Sequence, residues 1–197
     1  MPPSLSQIAR HAFSGPRGDK SAHLSMEELE RGFAKLEPPR DRGTLALIVS
    51  RGTLGKRSTP DRVRLTPEGG VPGDTWFRES PSFFDAQLAV MRVDVCRLVA
   101  NGQAPSMPGD NLLIDLDLSS ENLPTGSRLR LGGAVLEVTP KPHNGCLKFK
   151  QRFGGDALRL TATPRYRDLH LRGIYMKVVE AGDVAVGDPI EVVARGC

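Results

Sequence analysis

Cysteine is scarce in this chain, with three in 197 residues, at positions 96, 146 and 197. The number is odd and the spacing wide, so no disulfide framework is implied and free thiols in a reducing compartment are expected. Long apolar runs are missing too. None approaches the about 18 residues a membrane-spanning helix takes, so no membrane partner is expected. Met1 to Phe13 has no apolar core of signal-peptide length, and a cytoplasmic protein is the simplest reading. Aromatics are few (seven Phe, two Tyr, one Trp), and Lys and Arg nowhere form a block of five or more. Without a stacking platform or a cationic track, nucleic acid is not an expected partner. The chain also lacks a P-loop, a Rossmann glycine fingerprint, a Gly-x-Ser-x-Gly elbow and a His-Glu-x-x-His motif. Nucleotide-dependent and zinc-hydrolase chemistries lose support accordingly.

What the chain does have is 16 prolines, 21 glycines and many short apolar runs, the signature of a turn-rich β architecture. Its 27 basic and 23 acidic side chains give a formal charge of +4, which suits an anionic small molecule. Residues 1–43 read as an N-terminal extension. Ser25 and Glu28 form a capping-box pattern, and Met26, Leu29, Phe33 and Leu36 place one apolar stripe on a helix over about 25–37, ended by Pro38-Pro39. Such a stripe docks on its own domain or packs on a second subunit, so a homodimer is one arrangement it allows.

Residues 44–197 read as the main domain. Strands are expected at 44–50, 61–66, 87–99, 111–118, 128–131, 134–139, 173–180 and 189–194, with Gly132-Gly133 as a hairpin turn. One or two helices are expected between Leu147 and His170, broken near Gly154-Gly155 and Pro164. Eight or so short strands with few helices imply a mainly β fold, a closed or nearly closed β-barrel. Cys96, on the expected strand 87–99, faces a partly polar side and is assigned no chemistry.

Cys146 is the candidate catalytic residue. It lies in Lys141-Pro142-His143-Asn144-Gly145-Cys146-Leu147-Lys148-Phe149-Lys150, a turn-rich cationic stretch after a strand. Cations and a helix N-terminus favour the thiolate, the form that attacks, ligates metal or carries sulfur. His143 and Cys146 could supply half of a tetrahedral zinc site, but no second pair exists, and zinc is not expected. A single soft thiolate ligand to a cofactor-held metal stays open, since such a metal takes its other ligands from the cofactor. His143 could also act as the base of the thiol, as an anion donor or as an exposed loop residue. Asn144 and Gly145 suggest a turn whose amides point toward an anion. Of three Gly-Asp pairs, Gly109-Asp110 with Asn111 is the one with room for a site role. Lys141, Lys148, Lys150, Arg152, Arg165, Arg167 and Arg172 are either a solvated face or the source of two or three contacts to a phosphate-bearing ligand.

The order of motifs is similar to a MOSC domain, the module found at the C-terminus of molybdenum-cofactor sulfurases and as stand-alone bacterial proteins. The likeness runs through Ile48-Val49-Ser50, Gly70-Val71-Pro72-Gly73-Asp74, Pro108-Gly109-Asp110-Asn111-Leu112, Leu123 to Leu129, the Cys146 loop, Arg172-Gly173-Ile174-Tyr175 and Gly182 to Asp188. It implies a β-barrel resembling the pyruvate kinase barrel domain, and it implies binding of the pyranopterin molybdenum cofactor (molybdopterin). Cys146 would then be a persulfide carrier or molybdenum ligand, His143 and Asn144 would shape its loop, and Lys141, Lys148 and Arg172 would contact the phosphate. Asp110 and Asn111 complete the candidate cofactor residues. The resemblance also allows reduction of N-hydroxylated compounds with electrons from a partner, or non-catalytic storage and delivery of cofactor. No pyridoxal-phosphate desulfurase is fused here, so a cysteine desulfurase or an electron-transfer protein would be a separate partner. Gly145 stands where the family often has Pro, and Thr75-Trp76 where it often has a basic residue and a histidine; the second departure leaves the substrate class open.

Overall fold

Ser25 starts the first helix as its sequence suggests. The Ser25 hydroxyl accepts from the Glu28 N–H at 3.3 Å, and the Glu28 carboxylate accepts from the Ser25 N–H at 2.8 Å. This is α1 (Met26–Phe33), in a computed structural model that describes residues 15–79 and 82–196. Cys197 and the Met1 to Phe13 stretch lie outside the described residues. The helix ends sooner than expected, because Lys35 and Leu36 turn back onto Gly32 and Phe33 in tighter i+3 bonds. Its stripe faces inward. Leu29 is fully buried, and Met26, Phe33 and Leu36 pack against the same apolar cluster of this domain.

The strands follow as β1 (Arg42–Ile48), β2 (Ser50–Arg51), β3 (Arg57–Ser58) and β4 (Arg62–Leu65), then the short α2 (Thr75–Glu79). Next come β5 (Leu88–Arg92), α3 (Val93–Ala100), β6 (Leu112–Asp115), β7 (Arg128–Leu131) and β8 (Ala134–Val138). The chain continues with α4 (Leu147–Ala162), β9 (Ile174–Glu180), β10 (Gly182–Ala185) and β11 (Pro189–Ala194). Seven of these strands close a barrel in the order β1-β11-β7-β8-β9-β5-β6, with β6 returning to β1. All its pairs are antiparallel except β5–β6, where α3 makes the crossover a parallel pair needs. The β2–β3 and β4–β10 pairs lie outside the barrel.

Alternation explains where the cores sit. Ile174, Met176 and Val178 of β9 point into the barrel with Leu88, Val90, Leu112 and Ile114. The opposite faces of β5 and β6, with Met91 and Leu113, form a second core with α1, α3 and α4. Because β5 is buried on both faces, its sequence is apolar without a period, which hides where the strand stops.

The expected strand 87–99 is therefore corrected. It is β5 followed by α3, on which Val95 and Val99 lie four residues apart, as do Cys96 and Ala100, on a buried face. Cys96 is a helical residue, 0% exposed, with its thiol directed at the Pro105 carbonyl (3.4 Å). Burial pushes that thiol up to about 12. The strand at 61–66 forms but pairs with β10, which the sequence reading missed. The helical segment after Leu147 forms as α4, broken at Gly154 (φ +91), with a short 3₁₀ helix over Pro164–Leu169. No helix among the described residues is long and apolar enough to cross a membrane.

Candidate functional site

Ala89 of β5 and Tyr175 of β9 are register partners and are out of phase with the residues that fill the barrel. They therefore face outward, and they floor a cavity of about 550 Å³. Its walls come from the β2–β3 hairpin, the start of α2, the Pro108–Asp110 loop, the 143–152 stretch and Arg172.

Two buried carboxylates brace these walls. Asp74 is 2% exposed and accepts from Arg51 Nε (2.9 Å), Arg51 Nη2 (2.7 Å), the Arg51 and Trp76 N–H groups and Asn111 Nδ2. Burial alone would raise its pKa, but these donors hold it below the ordinary carboxylate range. Asp110 is fully buried and takes Arg172 Nη1 on both oxygens, at 2.8 and 2.9 Å. Burial again pushes upward, and the Arg172 charge overrides it, so Asp110 stays ionised.

His143 lies against this pair. Its Nδ1 is 3.6 Å from Asp110 Oδ1, too far for a hydrogen bond, and has no other partner among the described residues. Its ring packs on Tyr175 with centroids 4.3 Å apart. Burial, reinforced by the Arg172 charge, brings its pKa down to about 3, so the imidazole is neutral near pH 7.

Cys146 is the N-cap of α4, and its carbonyl accepts from the Lys150 N–H at 3.0 Å. The side chain makes no bond to the helix N–H groups, and the residue is exposed at the cavity. Lys148 and Arg152 line the same cavity four residues apart. A thiolate at Cys146 would favour the charged form of each, against burial, which lowers both pKa values. Arg57 is drawn down to about 10 by burial and by the charges of Arg152 and Arg51.

The structure thus brings Cys146, His143, Asn144, Lys148, Arg172 and Asp110 to one cavity. Lys141 and Asn111 stand elsewhere. The Lys141 Nζ lies over the Phe83 ring (5.4 Å), in a neighbouring hollow of about 340 Å³ that shares Arg51, Thr75, Glu79 and Tyr175 with the main cavity. Asn111 is 0% exposed, and its amide is spent on Ala89, Val49 and Asp74. Arg165 pairs with Glu30 at the surface. Sequence reading missed Arg51, Arg57 and Tyr175; the signal for the first two was a pair of cations flanking the Gly52–Gly55 turn after a buried strand. Among the described residues, no three His, Cys, Asp or Glu side chains are grouped to hold a metal ion.

A family model, described as the MOSC domain, matches residues 85–191. The chain belongs to the MOSC family. Its fold is similar to that of the YuaD protein from Bacillus subtilis, with a TM-score of 0.56 and 20% identity over 81% of this chain and 100% of that one. YiiM from Escherichia coli gives a TM-score of 0.52 at 21% identity over 79% of this chain and 71% of its own. YiiM from Geobacillus stearothermophilus gives 0.51 at 18% over 78% and 76%. No curated protein matches. Within this MOSC chain, Asp110, His143, Cys146, Arg152, Arg172 and Tyr175 fall in the matched segment, whereas Arg51, Arg57 and Asp74 precede it.

Proposed function

We propose that this MOSC protein binds the pyranopterin molybdenum cofactor in the main cavity, in the cytoplasm, with Cys146 as sulfur carrier or metal ligand. One observation carries the reading: an exposed thiol opens onto a cavity whose cations outnumber its acids. Arg51, Arg57, Arg78, Lys148, Arg152 and Arg172 line it, against Glu79 and Asp110. The fit to an anionic, hydrogen-bonding ligand is supported by three buried nitrogens of the lining that have no partner among the described residues, Arg57 Nε, Arg172 Nε and His143 Nδ1.

Lys148 and the arginines would hold the ligand's negative charge, and Asn144 would meet it at the mouth. His143, being neutral, can either donate or accept at Nδ1. When bound, the cofactor supplies a soft metal centre suited to thiolate and sulfide ligands. As carrier, the Cys146 thiolate attacks the outer sulfur of a donor persulfide, the cysteine desulfurase class being the donor. The donor's S–S bond breaks, the donor leaves as thiolate, and Cys146 keeps the sulfur as a persulfide without net oxidation. The reductive alternative, acting on N-hydroxylated compounds with an electron-transfer partner, finds support in the second hollow, which gives a substrate room beside Tyr175.

The test is molybdenum per chain, for wild type and Cys146→Ala purified from cells that make the cofactor. Metal in wild type and not in the variant supports the ligand role. Metal in both, with an intact-mass gain of about 32 Da (one sulfur) that Cys146→Ala abolishes, supports the carrier role. Metal absent from both overturns the molybdenum reading.

A further inference from the structure

Arg51 and Arg172 each satisfy a buried carboxylate, and the exposed Arg78 gives its Nη groups to the Gly73 and Arg51 carbonyls, which leaves two further arginines lining the cavity. Arg57 gives Nη1 to the Gly55 carbonyl at 3.0 Å, and its Nε is buried without a partner among the described residues. Arg152 spends Nη1 on the Met107 and Pro108 carbonyls and Nε on that of Pro16. Among the described residues neither arginine forms an ion pair. A Cβ built on Gly15 would lie 2.9 Å from Arg152 Nη2 and 3.6 Å from Arg57 Nη2, so the two guanidinium tips are close neighbours. That is a span one tetrahedral oxyanion bridges with two ordinary hydrogen bonds.

The backbone around the pair is shaped to allow it. Gly109 has φ +82, and a Cβ there would sit 2.6 Å from Arg57 Nη2, so only glycine lets that guanidinium lie against the Pro108–Asp110 loop. Segment 15–19 fastens Arg152 from the other side. Pro16 accepts from its Nε, Gly18 rests on its backbone, and the Asp19 N–H reaches Gln103, which in turn donates to the Arg152 carbonyl. Lys148 feels the charges of both arginines, so the three cations form one electrostatic cluster.

We propose that Arg57 and Arg152, with Lys148, form a subsite for a phosphate monoester dianion, built in part by the β2–β3 hairpin and segment 15–19. The doubly charged monoester is the class that answers three converging cations; a singly charged carboxylate or diester leaves their mutual repulsion largely in place. Hairpin and segment both lie outside the matched stretch 85–191. The inference rests on the cofactor reading only for the identity of the ester, moving the pterin phosphate from Lys141 or Arg172 to this pair. Its geometry stands without molybdenum.

The experiment is calorimetric titration of the full chain, purified without cofactor, with phenyl phosphate, inorganic phosphate and diphenyl phosphate at about pH 7.5, where the monoester is a dianion. The two monoester-type probes should bind, diphenyl phosphate should bind at least about tenfold more weakly, and Arg57→Gln should weaken phenyl phosphate by at least about tenfold. Arg152→Lys, which keeps the charge but loses the fork, should fall between wild type and Arg57→Gln. Unchanged phenyl phosphate affinity in Arg57→Gln, equal affinity for the diester, or no saturable binding to wild type would each overturn the subsite, whatever the metal content. Pterin fluorescence per chain then separates the sources. A drop in Arg57→Gln from cofactor-making cells assigns the subsite to the cofactor's phosphate. Unchanged pterin with lost phenyl phosphate binding assigns it to a separate phosphate ester.

Discussion

Asp110 and Arg172 lie 62 residues apart in sequence, and both oxygens of the fully buried Asp110 carboxylate accept from one Arg172 nitrogen, at 2.8 and 2.9 Å. The pair ties the Pro108–Asp110 loop to the entry of β9. The same guanidinium lies over the Phe149 ring at 4.9 Å, which brings α4 into the bracket. Cys146 therefore sits on a helix start that is indirectly braced by this ion pair.

Asp110→Asn should destabilise the protein by about 3–5 kcal/mol, because a buried guanidinium loses its counter-charge. Denaturant unfolding reads the loss. The double change Asp110→Leu with Arg172→Met should recover most of it, since a buried pair replaced by apolar groups of similar volume is often neutral. An Asp110→Asn midpoint equal to wild type would contradict a bracing role.

His143 makes stability depend on pH in a window of its own. Its folded pKa is about 3, against about 6.5 for a free histidine, so between these values the unfolded chain takes up a proton the folded chain refuses. Stability is therefore full above about pH 6.5 and falls as pH drops toward 3, with a slope of at most about 1.4 kcal/mol per pH unit. Asp110 and Asp74, both held low, lose their contribution only below about pH 4, as pH falls through their folded values. His143→Gln should flatten the urea midpoint between about pH 6.5 and 4.5. Parallel slopes in the two proteins would refute it.

What could be read from the sequence was what is encoded locally. Ser25 with Glu28, the stripe from Met26, the Gly132-Gly133 hairpin and the alternation in β9 all concern residues within a few positions of each other. The Cys146 loop was legible for the same reason, since its turn residues and cations are its immediate neighbours. The boundary between β5 and α3 was not, because burial on both faces erases the period that distinguishes strand from helix. β10 was hidden because its partner β4, itself legible from its alternation, lies far back in the chain. Proximity in sequence also grouped Lys141 and Asn111 with the site, whereas the fold turns Lys141 to Phe83 and spends Asn111 on the Ala89 and Val49 backbone and the Asp74 carboxylate. Arg57 came the other way, carried to the cavity by a hairpin whose conformation no local rule specifies.

The Arg57–Arg152 pair should show a trade between stability and binding. Burial, with the charges of Arg152 and Arg51, draws the Arg57 pKa down to about 10, and the more distant carboxylates of Asp74 and Asp110 offset only part of this. Arg57→Met removes that strain while keeping an aliphatic stem of similar length, so its Tm in a buffer without phosphate should exceed that of wild type. Adding phosphate should raise the wild-type Tm and leave the variant nearly unmoved, closing the gap. A variant that melts lower than wild type in phosphate-free buffer would count against repulsion as the dominant effect.

Gly18 tests whether segment 15–19 is part of the site or only lies near it. A Cβ at this position would come within 2.1 Å of the Arg152 carbonyl oxygen and 2.4 Å of its Cα, and backbone in a helix cannot retreat that far. Gly18→Val must therefore lift the segment and break the Pro16–Arg152 hydrogen bond. The core beneath α1 keeps its contacts, so the stability loss should be modest, about 1–3 kcal/mol. Amide exchange should quicken at 15–22, and phenyl phosphate affinity should fall, because Arg152 is left with the Met107 and Pro108 carbonyls alone to orient it. Faster exchange with unchanged affinity would show that the segment packs beside Arg152 without positioning it.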